Sequence, residues 1–228
     1  ECPAELRIMF HTIKTGSLEY LTADSLSGSV HCFSTRFGGV SEGHLASLNL
    51  GTHRGDVPEN MRENYRILGA AVGFAPEQTV FTRQEHTDTI LRVGKSDCGT
   101  GLSREQTVVC DGLITDEPGV ALCCFGADCT TILLFDPVTG ALGAVHSGWR
   151  GTAMGIAAKA VAAMTREFGS RPSDIRAAIG PCIGLCCFEV GPEVPEAMRN
   201  ALGADAEGCI EPRGEKYHVD LKGINRLW

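Results

Sequence analysis

Two apolar runs joined by a five-residue turn constrain this chain most. Thr131-Ile132-Leu133-Leu134-Phe135 and Ala141-Leu142-Gly143-Ala144-Val145 read as strands, and Asp136-Pro137-Val138-Thr139-Gly140 between them is turn chemistry. A turn centred on Val138 folds the pair into an antiparallel hairpin. It sets Cys129, just before the first strand, opposite His146, just after the second. A thiol and an imidazole meeting at a hairpin end act either as metal ligands or as a nucleophile with its base.

A chain of 228 residues with 43% hydrophobic content has enough apolar surface for a sizeable core. The formal net charge of -8, with no Lys/Arg cluster, argues against nucleic acid or an anionic membrane as the main partner and favours a small molecule. No apolar run approaches the roughly 20 residues of a membrane span. Glu1-Cys2-Pro3-Ala4-Glu5-Leu6-Arg7 lacks the basic-then-apolar order of a signal peptide, so a cytoplasmic location is expected. The 11 cysteines are odd in number, and Cys123, Cys124, Cys186 and Cys187 lie in or beside apolar runs, as packing thiols of a reducing compartment do. Cys182, Cys186, Cys187 and Cys209 lack the two well-spaced pairs of a structural zinc site.

Along the chain, residues 30–35 read as a strand entering the loop Arg36-Phe37-Gly38-Gly39-Val40-Ser41. Its paired glycines permit positive φ or close approach to a ligand, and equally suit a plain turn. Asp56 is a candidate N-cap for a helix carrying Met61, Tyr65, Leu68 and Val72 and ending near Gly73. Strands at 79–82 and 89–93 flank Gln84-Glu85-His86-Thr87-Asp88, and residues 94–105 read as an exposed loop. Strands at 110–115 and 119–125 precede the hairpin, and a long helix is predicted over 152–168 with the stripe Ile156, Ala160, Val161, Met164 and Phe168. A strand at 175–179, a helix at 193–202 and a strand at 217–220 follow, and 220–228 reads as the opening of another helix. No linker or fixed-period repeat divides the sequence, so one α+β domain over 1–228 is expected, with a C-terminal segment beyond it.

His86, in a polar loop between strands, is the best third ligand beside Cys129 and His146. Two histidines and one cysteine leave a tetrahedral ion one open position, as at catalytic zinc. In the metal-free alternative Cys129 attacks, His146 is its base, and Asp128 or Asp111 orients the imidazole. His11, His31, His44, His53 and His218 have no partner pattern and read as surface or structural residues. Ser147-Gly148-Trp149-Arg150-Gly151-Thr152 runs directly into the predicted long helix. Free backbone N–H groups and the Arg150 fork there suit a phosphate or carboxylate, although an ordinary helix start with a surface arginine reads the same way.

These residues carry a resemblance. Thr35-Arg36-Phe37-Gly38-Gly39-Val40-Ser41, Leu48-Asn49-Leu50, Gln84-Glu85-His86, Asp111-Gly112-Leu113-Ile114-Thr115, Ala127-Asp128-Cys129, His146-Ser147-Gly148-Trp149-Arg150-Gly151 and Ile179-Gly180-Pro181-Cys182-Ile183 stand in the order of the polyphenol oxidase, or laccase-domain, family. Its members are described as zinc-dependent purine nucleoside phosphorylases. The resemblance implies that His86, Cys129 and His146 hold Zn2+, in a four-layer α/β/β/α arrangement with mixed β-sheets. It implies phosphorolysis of adenosine, inosine, guanosine and methylthioadenosine, and adenosine deamination, with purine nucleosides and phosphate as partners. An older family label instead implies Cu2+ and polyphenol oxidation, and a non-catalytic nucleotide-binding module is the third alternative. On this reading Asp128 and Arg150 join the ligands as catalytic residues, and Arg36, Gly38, Gly39, Asn49, Gln84, Asp111, Gly148 and Gly151 line the substrate. The chain departs from the family pattern at Thr87, usually glycine, and at Ser147, usually alanine.

Overall fold

The structure, a computed structural model, describes residues 9–52 and 54–228; His53 and the N-terminal residues read above for a signal peptide lie outside these. A hairpin of β1 (Phe10–Thr15) and β2 (Leu18–Ala23) turns on Gly16 and is extended by β3 (Phe33–Ser34). Helix α1 (Pro58–Val72) follows and ends at Gly73, whose φ of 107° suits a residue without Cβ. Its Leu68 packs with Leu18, Tyr20 and Leu48. Strand β4 (Thr79–Phe81) leads to β5 (Ile90–Arg92), β6 (Gly112–Thr115), β7 (Ala121–Cys123), β8 (Thr130–Phe135) and β9 (Leu142–Ser147). Helices α2 (Trp149–Ala153) and α3 (Ile156–Phe168) and strand β10 (Arg176–Ile179) complete the central region. The chain closes with β11 (Glu189–Val190), α4 (Glu193–Leu202), β12 (Ile210–Arg213), β13 (Lys216–Val219) and α5 (Leu221–Leu227).

The central sheet has the order β10-β8-β9-β6-β5 and is antiparallel apart from the β5–β6 pair. Its apolar face, carrying Ile114, Ile132, Leu134 and Val145, buries the α3 stripe of Ile156, Ala160, Ala163 and Met164. Each fully buried aliphatic side chain of this kind contributes about 1.5–3 kcal/mol. Strands β4 and β7 pair in parallel, and β11-β13-β12 form a separate antiparallel sheet against α4 and α5. The described residues thus form a single mixed α/β domain with several sheets and five α-helices.

The hairpin forms, but one residue out of the expected register. Thr131 faces His146 and Phe135 faces Leu142, because the Asp136 N–H reaches the Ala141 carbonyl at 2.9 Å and lengthens the pairing. The Asp136 carboxylate organises the turn, accepting from Val138 N–H at 2.8 Å and from the Thr139 hydroxyl at 2.8 Å. Cys129 is therefore the diagonal neighbour of His146 rather than its partner. Burial pushes the Asp136 carboxyl up, but hydrogen bonds from Ser170, Thr139 and Val138 outweigh it and hold it below its ordinary value. Its stabilisation is complete above about pH 4 and fades as the pH falls through that lowered value. Asp136→Ala removes the acceptor that organises the turn from donors that water can reach, and is expected to cost about 0.5–1.5 kcal/mol, read from the urea midpoint.

Other expectations shift for equally local reasons. The long helix over 152–168 begins earlier, at Trp149, and breaks in two at Gly155, whose φ is 70°. The Trp228 ring lies 3.2 Å from where a Gly155 Cβ would stand, and its indole N–H donates to the Thr152 carbonyl at 2.8 Å. Asp56 is not the N-cap of α1, since Val57 takes that position; its carboxylate instead accepts from Ser41 Oγ at 2.6 Å and Asn49 Nδ2 at 2.9 Å. Residues 94–105 are anchored rather than free, with Phe81 N–H on Thr100 O at 2.9 Å and Gly99 N–H on Thr79 O at 2.8 Å. Cys186 and Cys187 are exposed and do not pack in a core. By contrast, burial pushes the thiols of Cys32 and Cys124 up to about 12.

Candidate metal centre

Three sequence-distant elements meet at one end of the central sheet. His86 lies in the turn after β4, Cys129 just before β8 and His146 near the end of β9. Their ligand atoms all lie within 4.8 Å of one another, with Cys129 Sγ 3.8 Å from His86 Nε2. The two imidazole rings stand at 82° with centroids 5.0 Å apart. Two zinc bonds at ordinary zinc–sulfur and zinc–nitrogen lengths and a tetrahedral angle span about 3.6 Å, so the observed sulfur–nitrogen gap fits one shared ion. Among the described residues this is the one gathering of three or more His, Cys, Asp or Glu side chains at such distances; Cys182, Cys186, Cys187 and Cys209 do not assemble.

Asp111, fully buried just before β6, organises the site. Its Oδ1 is 2.7 Å from His146 Nδ1, and a carboxylate only accepts, so Nδ1 carries the proton and Nε2 is left for a metal. The same carboxylate accepts the backbone N–H groups of Glu85, His86 and Thr87 at 3.3, 3.1 and 2.8 Å and the Thr87 hydroxyl at 2.7 Å. These bonds hold His86 at a φ of 60°, a left-handed conformation few non-glycine residues adopt. Burial pushes the Asp111 carboxyl up, but its hydrogen bonds from His146, Thr87 and Glu85 prevail and bring it to about 2. Burial pushes the His146 imidazole down, while Asp111 and Cys129 raise it to about 9. Thr87 thus contributes a hydroxyl that glycine would lack.

The other predicted site residues divide by what already occupies them. Gln84 braces Thr82 and Phe125 with hydrogen bonds of 2.6 to 2.8 Å, and Asn49 bonds to Gly51 and Asp56. A Cβ on Gly38 would overlap Leu18, and one on Gly39 would overlap Ser47 and Asn64, so both glycines are required by packing. Arg36 donates to the Ala46 carbonyl at 2.7 and 3.2 Å. Gly151 is buried in α2 beside the Thr87 carbonyl. Exposed Arg150 lies over the Trp149 ring, its guanidinium carbon 4.3 Å from the centroid. Asp128 is exposed, with its backbone carbonyl accepting from Ile183 N–H at 3.0 Å. Ser147, which the sequence marked only as a departure from the family pattern, has a hydroxyl that bonds Thr152 and Asn225 at 2.9 and 2.8 Å and ties β9 to α5. A cleft of about 950 Å³ reaches Arg36, Asn49, Phe125, Gly126 and Ala127, but none of the three ligand residues lines it.

Gly148 gives the ligands room. A Cβ there would stand 2.7 Å from His86 Cδ2 and 3.2 Å from Cys129 Sγ, although its φ of -66° suits any residue. Gly148→Ala is therefore expected to weaken metal retention roughly 10-fold or more, as displaced ligands do, with an unchanged thermal midpoint. Competition against a chromogenic chelator measures it.

Fold and site together define a class: a single mixed α/β domain with a ligand group of two histidines and one cysteine, oriented by a buried carboxylate. Residues 30–228 match the family described as multi-copper polyphenol oxidoreductase laccase, and the chain belongs to that family. It is 37% identical over 213 residues to a purine nucleoside phosphorylase of Bacteroides thetaiotaomicron, covering 92% of this chain and 79% of the relative. It is 40% identical over 208 residues to the purine nucleoside phosphorylase YlmD of Geobacillus stearothermophilus, covering 90% and 76%. The crystal structure of YlmD from Geobacillus stearothermophilus superposes with a TM-score of 0.89 at 38% identity, covering 96% of this chain and 82% of that one. That of the Bacillus licheniformis hypothetical protein YfiH gives 0.88 at 34% identity, with the same coverage. No helix of the described residues is long and apolar enough to cross a membrane.

Proposed function

We propose that the chain is a zinc-dependent purine nucleoside phosphorylase acting on adenosine, inosine, guanosine and methylthioadenosine, with adenosine deamination as a second activity. The observation that carries this is the convergence of His86, Cys129 and His146 under the Asp111 carboxylate, in a chain whose relatives bear the phosphorylase name. The donor set, one thiolate and two imidazoles, matches catalytic zinc. When bound, zinc supplies Lewis-acid polarisation of an oxygen at its open position.

The rest falls to the chain's own side chains. In phosphorolysis a phosphate oxygen bonds to ribose C1′ as the C1′–N9 bond breaks, and the purine leaves with the electron pair and takes a proton. Arg150, beside the ligand strand on an indole face, is assigned to the phosphate, where its fork matches two oxygens. Asp128, exposed next to Cys129, is assigned to proton exchange with the purine and, in deamination, where a water oxygen bonds to purine C6 as the C6–N bond breaks, to proton transfer from that water to the departing ammonia. Asp111 keeps His146 in one tautomer throughout. Arg36 is assigned to the substrate. A four-layer α/β/β/α stacking of the sheets and a cytoplasmic setting complete the proposal.

Polyphenol oxidation is the second reading, favoured by the family description. Reducing dioxygen to water takes several coppers, whereas one ligand group gathers among the described residues. Zinc-loaded protein is expected to release hypoxanthine and ribose 1-phosphate from inosine in equal amounts, only with phosphate present. Absence of purine release from all four nucleosides overturns the phosphorylase, and dioxygen uptake with a phenol by the copper-loaded protein supports the oxidase.

A further inference from the structure

We propose that Cys186 and Cys187 form a modification site, a vicinal dithiol that hydrogen peroxide oxidises to a disulfide between adjacent residues. Their sulfurs already stand 3.1 Å apart, and both residues are exposed. The turn that presents them is well defined, with the N–H groups of Cys187 and Phe188 both donating to the Gly184 carbonyl at 2.9 and 3.0 Å. It is pinned on either side of the pair's approach: the Ile183 N–H donates to the Asp128 carbonyl at 3.0 Å, and the His218 Nδ1–H donates to the Leu185 carbonyl at 2.7 Å. The two sulfurs are therefore held close in a fixed turn that solvent reaches.

Sulfur-to-sulfur hydrogen bonding with Cys186 pushes the Cys187 thiol up, against the pull of nearby Arg213. The hydrogen bond between the sulfurs lets one keep the proton while the other attacks, and the reaction balances identically from either; with Cys187 as the resolving sulfur, the attacker is Cys186. Its thiolate bonds to one peroxide oxygen as the O–O bond breaks, and the departing hydroxide is protonated to water. The Cys187 sulfur then displaces hydroxide from the resulting sulfenic acid, forming the S–S bond and a second water. Two thiols are oxidised and one peroxide is reduced to two waters. Adjacent Cα atoms are about 3.8 Å apart, short of the usual disulfide range of about 4.4–6.8 Å. The ring is consequently strained and easily reduced, as labile rather than structural disulfides are.

The experiment uses the full-length, zinc-loaded, pre-reduced chain with one equivalent of hydrogen peroxide, read by intact mass and peptide mapping. The expected result is a loss of two hydrogens and of two titratable thiols, mapped to 186 and 187 and reversed by dithiothreitol. Cys186→Ser and Cys187→Ser, at exposed turn positions, are each expected to lose the two-hydrogen change entirely. Both thiols staying free while other residues consume the peroxide, or the two-hydrogen loss persisting in Cys186→Ser, overturns the proposal. Neither readout involves nucleoside turnover, so its failure is independent of the phosphorylase reading.

Discussion

Cys129→Ser is expected to lose stoichiometric zinc and to lower kcat/KM for inosine phosphorolysis by about 10³-fold or more. The sulfur is the one soft, anionic donor in the group, and a serine hydroxyl is neither at neutral pH. Metal polarisation contributes several kcal/mol of transition-state stabilisation, and each 1.36 kcal/mol is about tenfold in rate. Cys129 is half-buried at the mouth of the hairpin, so the thermal midpoint of the metal-free protein is expected to stay within what a shift of about 0.5 kcal/mol produces. Zinc content by atomic emission and steady-state rates form the test. Zinc retained with activity lost returns Cys129 to the nucleophile reading, in which His146 and Asp111 serve as base and orienting group. Zinc and activity both retained removes Cys129 from the chemistry altogether.

Much of this site was legible in the sequence, because the hairpin states itself locally: two apolar runs, a Pro-Gly turn and a polar residue at each open end. Its register was not, since the Asp136 carboxylate reorganises the turn through its own hydrogen bonds, which composition does not reveal. His86 stood out as a histidine in a polar loop, yet its left-handed backbone depends on Asp111, 25 residues away, and on contacts that only the closed sheet brings together. The break between α2 and α3 falls at left-handed Gly155, where the indole of Trp228, 76 residues beyond Thr152, bonds the Thr152 carbonyl; the apolar stripe starts only at Ile156 and so gave no sign of it. The two-residue strand β11 owes its existence to its pairing with β13, and carries no pattern long enough to read alone.

Asp111→Asn is expected to reduce zinc affinity about 10–100-fold while leaving the three ligands in place. The carboxylate accepts from His146 Nδ1, and an amide presents either a neutral oxygen or an N–H₂ group there. With the N–H₂ facing the ring, the imidazole moves its proton to Nε2, and the nitrogen that faces the metal loses its free lone pair. Asp111→Ala goes further, stripping the partner from three backbone N–H groups, the Thr87 hydroxyl and the buried His146. Unpaired buried donors cost about 1–3 kcal/mol each before relaxation, so a total loss of about 3–5 kcal/mol is expected, enough to endanger folding of a marginally stable domain. The asparagine variant separates positioning from stability: its folding midpoint moves less, its zinc affinity falls, and the nitrogen resonances of His146 report the change of tautomer. An Asp111→Asn protein that binds zinc as tightly as the parent, with His146 still protonated at Nδ1, would show that the histidine is oriented by the strand alone and that the carboxylate serves only the 85–87 turn.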